Sequence, residues 1–425
     1  MAVRLVPFAL VILATLPDAM SYPGLKKVVS LRFGQGDAST QLFTICALAG
    51  ALLVIPFMGQ IRRLSPRRVI VLTGILQAMV VGAMAASVPW WTLLVLRGVQ
   101  GAFDLISLAV LTAMAARLNG GSGRTFGLLG SAIMAGLALG FTSGGIISSI
   151  DPSMVFPIAA GFALLMGFAG FALPNLELDE GRPRLRMVGA IDRNLATGLA
   201  LSASDRFLPG ITTVVLPLLL AGALGMDDRA IGMVMAAPLL VAVIGGMLAG
   251  ILVDRFGAVP IRAVGCANYG GGLLLLMIGH DVFPLVLVST LLTGIGVTLI
   301  MPTALSIGTS RGRTSDDPAV AGWIQAGGQV GYIIGIIGGA GITLMMGGTT
   351  VSIIVLAVGV YLAWNAAWMV MLTLRSSSKS EDDSDLSYEG SGGFRSMPRP
   401  AARPRPKFST HHRSSNSTET EDKLD

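Results

Sequence analysis

The chain has 425 residues, of which 53% are hydrophobic and only 13% charged, with a net charge of +6. Soluble domains carry about 25% charged residues, so a water-soluble enzyme or nucleic-acid-binding domain is excluded. Repeated apolar runs of about 20 residues indicate a polytopic helical membrane protein instead.

The first run, 4–24, has a basic start and an apolar core, as a secretion leader would. Its apolar segment continues past Asp18 to Pro23 and many spans follow, so it reads as a transmembrane helix. Further spans are expected near 40–60, 69–88, 92–114, 125–148 and 154–173. The polar segment LELDEGRPRLRMVGAIDRN interrupts the pattern, and six more runs follow near 195–221, 230–252, 260–279, 284–307, 320–342 and 350–373. The expected fold is an all-α polytopic membrane protein with twelve transmembrane helices. Six form an N-terminal bundle (1–173), a cytoplasmic linker follows (174–194), and six form a C-terminal bundle (195–374).

Basic residues orient the spans. Arg62, Arg63, Arg67, Arg68, Arg117, Arg124, Arg182, Arg184, Arg186, Arg193, Arg255, Arg262, Arg311 and Arg313 fall in loops on one side, which is read as cytoplasmic. The opposite loops hold few, chiefly Lys26, Lys27, Arg32 and Arg229. Both termini are therefore expected in the cytoplasm. The tail, 375–425, combines SEDDSD with PRPAARPRPK; it has too little apolar surface for a core and reads as disordered.

Most of the 55 glycines lie inside apolar runs, which suits helices packed backbone to backbone in lipid. Cys46 and Cys266 fall in spans and read as apolar fillers. Trp90, Trp91 and Trp323 read as interface anchors. There is no nucleotide-binding loop, no metal-ligand cluster and no Ser-His-Asp arrangement; of the three histidines, His280 is near a loop and His411 and His412 are in the tail. No cofactor and no catalysis are expected.

Charge inside the spans is the functional signal. In LVLRGVQGAFDLIS (94–107), Arg97, Gln100, Asp104 and Ser107 share one helix face. A charge at mid-bilayer costs roughly 2.5–3.5 kcal/mol, so such a stripe needs a partner or a wet cavity. Asp18 lies on the first span with Thr15 and Ser21 on its face. On the seventh, Ser202, Asp205, Pro209 and Thr212 recur at helical spacing, with Arg206 beside them. Gln325 and Gln329, one turn apart on the eleventh span, are candidates for substrate contact or for bonding to a neighbouring helix.

The halves repeat at an offset of about 190 residues, the sign of two related bundles with a site between them. GQIRRLSPRR at Gly59 matches GILVDRFGAV at Gly250. The fifth span holds Gly136, Gly140, Gly144 and Gly145, and the eleventh Gly327, Gly331, Gly335, Gly338 and Gly339. Asp18 with Pro23 corresponds to Asp205 with Pro209.

On these residues the chain resembles the major facilitator superfamily over roughly 1–374. The loop motif G-x3-D-R-x-G is met by Gly250, Asp254, Arg255 and Gly257, and degraded at Gly59, where Arg63 and Pro66 replace Asp and Gly. R-x-x-Q-G is met by Arg97, Gln100 and Gly101. The antiporter motif G-x3-G-P-x2-G-G appears as GLALGFTSGG, with Phe141 for Pro.

The resemblance implies a central cavity lined by the first and fourth helices; the charged stripes, Asp104 on spacing alone, add to it the expectation that Asp18, Arg97, Gln100, Asp104, Asp205 and Arg206 would handle protons and solute there. Asp18 and Arg97 would pair across it. Gly59, Gly250, Asp254, Arg255 and Gly257 would form a cytoplasmic gate. Gly136, Gly140, Gly144, Gly331, Gly335 and Gly339 would let helices approach closely and bundles slide. The expected function is secondary transport of a small organic solute, proton-coupled and most consistent with export, by a monomer in the plasma or inner membrane. Proton-coupled uptake of a sugar or organic acid is the alternative, and a sensor or scaffold acting through the tail a more distant one. The expected partners are solute, protons and lipid, with no nucleic acid.

Overall fold

The structure is a computed structural model describing residues 2–34, 37–61, 64–119, 122–174, 193–226, 228–279, 281–309, 318–345 and 355–373. The expected linker, apart from its ends, and the expected tail lie outside the described residues. All regular elements among those described are helical, the form in which each backbone group finds a partner without water. The first half contains α1 (Ala2–Phe33), α2 (Asp37–Val54, extended by turns to Ile61), α3 (Pro66–Ala85), α4 (Trp90–Asn119), α5 (Gly123–Ile150) and α6 (Val155–Ala169). The second contains α7 (Arg193–Leu224), α8 (Asp228–Phe256), α9 (Ala258–Ile278), α10 (Phe283–Thr309), α11 (Pro318–Met345) and α12 (Val355–Thr373). Eleven are long and apolar enough to cross a membrane; α7, with 32 residues, is the twelfth long helix.

Short-range chemistry sets the ends. Ser65 caps α3 by accepting from the Arg68 amide, with Pro66 at the first helical position, and Ser122 caps α5 by accepting from Thr125. Gly257, at φ +87°, makes the turn between α8 and α9, a backbone region that side chains other than glycine's rarely adopt. Asp151 accepts from the Ser153 amide and hydroxyl after α5, and these bonds hold its carboxyl below the ordinary range.

Three sequence expectations need correction. Arg32 is not in a loop: α1 runs on to Phe33, and the guanidinium donates to the carbonyls of Met84, Ala85 and Ala86, which the end of α3 leaves unsatisfied. Arg262 is not a loop residue either; it lies inside α9 and is fully buried. A count of basic residues near helix ends cannot tell a solvated arginine from one in the first buried turn. Trp323 is not an interface anchor, because it packs on Ala51, Ile55, Leu105 and Ala326 where the halves meet.

The glycine ladders pack within halves. A Cβ at Gly136, Gly140 or Gly144 of α5 would fall 1.9 Å from Thr15 Oγ1, 2.4 Å from Ala19 Cβ and 2.2 Å from the Met20 carbonyl, all on α1. One at Gly331 or Gly335 of α11 would fall 1.8 Å from the Ala203 carbonyl and 2.2 Å from that of Phe207, both on α7. The contacts of Gly339 lie outside the described ones. These glycines bring α1 to α5 and α7 to α11, so they do not form the sliding surface between bundles. Other pairs obey the same repeat: α2 meets α4 at Gly50 and Gly101, and α8 meets α10 at Gly294.

Candidate functional site

A cavity of about 380 Å³ lies between the halves. Its wall is mostly aliphatic and aromatic, drawn from α1, α2, α4 and α5 on one side and from α7 to α11 on the other. The charged side chains in the wall are Asp18, Asp104, Asp205 and Arg206. Gln325, Gln329, Tyr22 and Tyr332 are also in it, as are Ser202, Pro209 and Thr212.

Two of the carboxylates are held from behind. Asp18 pairs with Arg97 of α4, and Asp205 with Arg262 of α9. The side chains of Asp18 and Asp205 are 26% and 15% exposed, whereas both guanidiniums are at 0%. Each aspartate therefore faces the cavity with a buried cation at its back. Arg97 also donates to Gln100 (2.7 Å) and lies 4.7 Å from the Phe43 ring centroid, a cation–π distance. Arg262 is more extensively bonded: it donates to Asn365, Thr303, Ser204 and the Leu201 carbonyl as well as to Asp205. It thereby joins α7, α9, α10 and α12.

Arg97 and Gln100, expected in the wall, do not line the cavity. The α4 face carrying them turns toward α1 and α2, while Gly101, Asp104, Leu105 and Leu108 line it. Both ion pairs also stay within one half, so a rigid rocking of the halves leaves them intact.

Asp104 and Arg206 are held differently. Asp104 accepts a hydrogen bond from the Gln77 amide of α3 and has no cation within salt-bridge distance among the described residues. Gln77 is fully buried, and its carbonyl oxygen has no partner. Arg206 donates to Gln325 Oε1 at 2.9 Å, again with no carboxylate at salt-bridge distance among the described residues.

A tight seam closes one end. Asp254 of α8 accepts from the backbone N–H groups of Gly123 (2.7 Å) and Arg124 (2.9 Å), the first turn of α5. An anion there satisfies two unpaired helix donors and favours the positive end of the helix dipole. Below it, a Cβ at Gly250 would fall 2.2 Å from the Gly123 carbonyl, and one at Gly127 would fall 2.1 Å from that of Gly246. Ser131 then meets the Ala242 carbonyl. The cavity starts at the next residues along the same helices, Ile133 and Leu239. Across the seam, Met58 and Ala109 meet Gly322.

The sequence pattern of the major facilitator superfamily matches residues 8–190 and 195–410. The chain belongs to the major facilitator superfamily. Solved transporter structures have the same fold at low identity. The human organic anion transporter MFSD10 is 15% identical, with a TM-score of 0.65 over 86% of this chain and 98% of its own. The nucleoside transporter NupG is 13% identical, with a TM-score of 0.63 over 88% of this chain and 99% of its own. No curated protein sequence matches. Family and fold together make the chain an integral multi-pass secondary transporter of small molecules.

Of the superfamily loop motif, Asp254 and Gly250 are at the seam and Gly257 makes the adjoining turn. Arg255 is exposed, its guanidinium 5.3 Å from the Phe256 ring centroid. Of the degraded copy, Gly59 is exposed, with nothing within 4 Å of an added Cβ, and Met58 beside it meets Gly322. Arg62 and Arg63 lie outside the described residues.

Several residues of this site escaped sequence reasoning. Arg262 and Asn365 carried no spacing signal toward Asp205. Gln77 stood alone on an apolar helix. Gly123, Gly127 and Ser131, with Ala242, Gly246 and Gly250, do form small residues at every fourth position, a signal that could have found the seam. Among the described residues no cluster of His, Cys, Asp and Glu is suited to a metal.

Proposed function

We propose that this transporter couples solute movement to protons by alternating access, and that Asp104 carries the proton. The observation behind this is its partner. A guanidinium only donates, so it suits a carboxylate that stays ionised. An amide both donates and accepts: Gln77 can donate to an ionised Asp104 and, turned over, accept from a protonated one. Its unpartnered buried oxygen supports that second role. Asp18 and Asp205, each backed by a buried arginine, serve to orient helices and shape the cavity.

In this reading the bundles 1–173 and 195–374 rock about the cavity, joined by the linker, with the Asp254 seam as the cytoplasmic gate. Basic residues on the Asp254 side support cytoplasmic termini, and the plasma or inner membrane is the location of this reading. The chain works as a monomer. Export in exchange for protons is the direction favoured by the Arg97 motif and by GLALGFTSGG. Reconstitution in proteoliposomes under an imposed pH gradient tests the coupling. Solute and protons should move in opposite directions, and Asp104→Asn should abolish gradient-driven transport without loss of insertion. Movement in the same direction means uptake. Full gradient dependence in Asp104→Asn would remove Asp104 from the mechanism.

A further inference from the structure

We infer that the second-half wall of the cavity holds a subsite for a small organic anion, with Arg206 meeting the charge and Gln329 meeting a neighbouring donor group of the same molecule. This rests on the transport reading and specifies its solute.

Taking a guanidinium out of water without a counter-ion is costly, and structures normally give a buried cation an acidic partner. The two other arginines beside this cavity have one: Arg97 has Asp18 and Arg262 has Asp205. Arg206, part-buried and facing the cavity, has a neutral amide oxygen, that of Gln325. A guanidinium carries five N–H donors in a planar fork that matches a carboxylate two at a time. One contact to Gln325 therefore fixes the orientation of the fork and leaves donors for a ligand.

The second element is Gln329, one turn further along α11. It lines the same cavity, and its Oε1 is buried without a partner. A buried acceptor left unmade is costly; a ligand hydroxyl or amine next to the carboxylate would satisfy it. Gly328 lies between the two glutamines, and a Cβ there would fall 2.9 Å from Arg206 Cδ and Nε. The absence of a side chain at 328 is what lets the guanidinium lie along α11 next to Gln325. The remaining wall is mostly apolar, so the anion's hydrocarbon part also finds a surface.

The test is binding to the full-length chain in detergent, which does not require transport. The probes are a series of hydroxy- and amino-substituted aliphatic and aromatic monocarboxylates. Each is paired with its neutral carboxamide and read by thermal stabilisation and then by isothermal titration. At least one carboxylate should bind, and its amide should bind roughly 10- to 100-fold more weakly, as expected for loss of a hydrogen-bonded charge pair. Arg206→Gln should erase that preference. Arg206→Lys should keep part of it, which guards against misreading a folding defect, and the exposed-site control Arg229→Gln should leave binding unchanged. The inference is overturned if no carboxylate in the series binds, or if Arg206→Gln, eluting as folded protein, keeps the preference. Binding with this preference but without any solute flux in proteoliposomes would refute the transport reading and leave the subsite standing.

Discussion

Asp254 joins the two halves at one end of the cavity. Its carboxylate spans the two halves, with both oxygens on amides of the first turn of α5. Asp254→Asn keeps one acceptor oxygen and loses the other, together with the charge at the helix N-terminus. A hydrogen bond to a charged group contributes about 1.5–3 kcal/mol, and a charge at an exposed helix end about 0.3–1 kcal/mol. Because Asp254 is exposed, the low end applies, about 1–2 kcal/mol. That lowers the ratio of sealed to open seam by roughly 5- to 30-fold. Ser131, buried between α5 and α8, is a suitable reporter. With Cys46 and Cys266 removed and Ser131→Cys introduced, the rate of maleimide labelling follows the open fraction when opening is fast relative to labelling. Asp254→Asn should raise that rate by the same 5- to 30-fold, and Asp254→Ala by at least as much. Unchanged labelling in both would show that the contact does not hold the seam.

Other outcomes follow from the packing. Arg262→Met leaves the Asp205 carboxylate, part-buried at the cavity wall, without its cation and should cost about 3 kcal/mol, the low end for a broken buried pair, in unfolding experiments; adding Asp205→Asn should recover part of it. Gly331→Ala puts a methyl 1.8 Å from the Ala203 carbonyl, so α7 and α11 must separate. A loss of about 1–3 kcal/mol, seen as a lower unfolding temperature, is expected for such overpacking. Deleting 375–425 should leave transport intact, whereas its loss would favour the reading in which the tail is the working part.

The architecture was legible because lipid imposes few choices: apolar length gives spans, and a repeated offset gives two halves. Asp104, Asp205 and Arg206 were legible as costly charges, and all three line the cavity. What was not legible was the direction in which each charge is answered. Arg97 and Asp104 share a helix face, yet one turns to α1 and the other meets Gln77 of α3, since a small rotation of α4 decides which residue meets water. Arg262 was misread because its position in sequence, near a helix start, is the same whether it points to solvent or inward. The ladders at Gly136 and Gly331 were legible as close contacts; which helix each one meets depends on tertiary arrangement.

The central claim is that solute movement is coupled to protons through Asp104. Proteoliposomes loaded with a pH-sensitive dye and given solute on one side measure this directly. Solute-dependent proton movement opposite in direction to the solute is expected in the native chain, and none in Asp104→Asn at matched protein content. Solute flux with no accompanying proton movement in the native chain, or equal proton movement in both proteins, would contradict it.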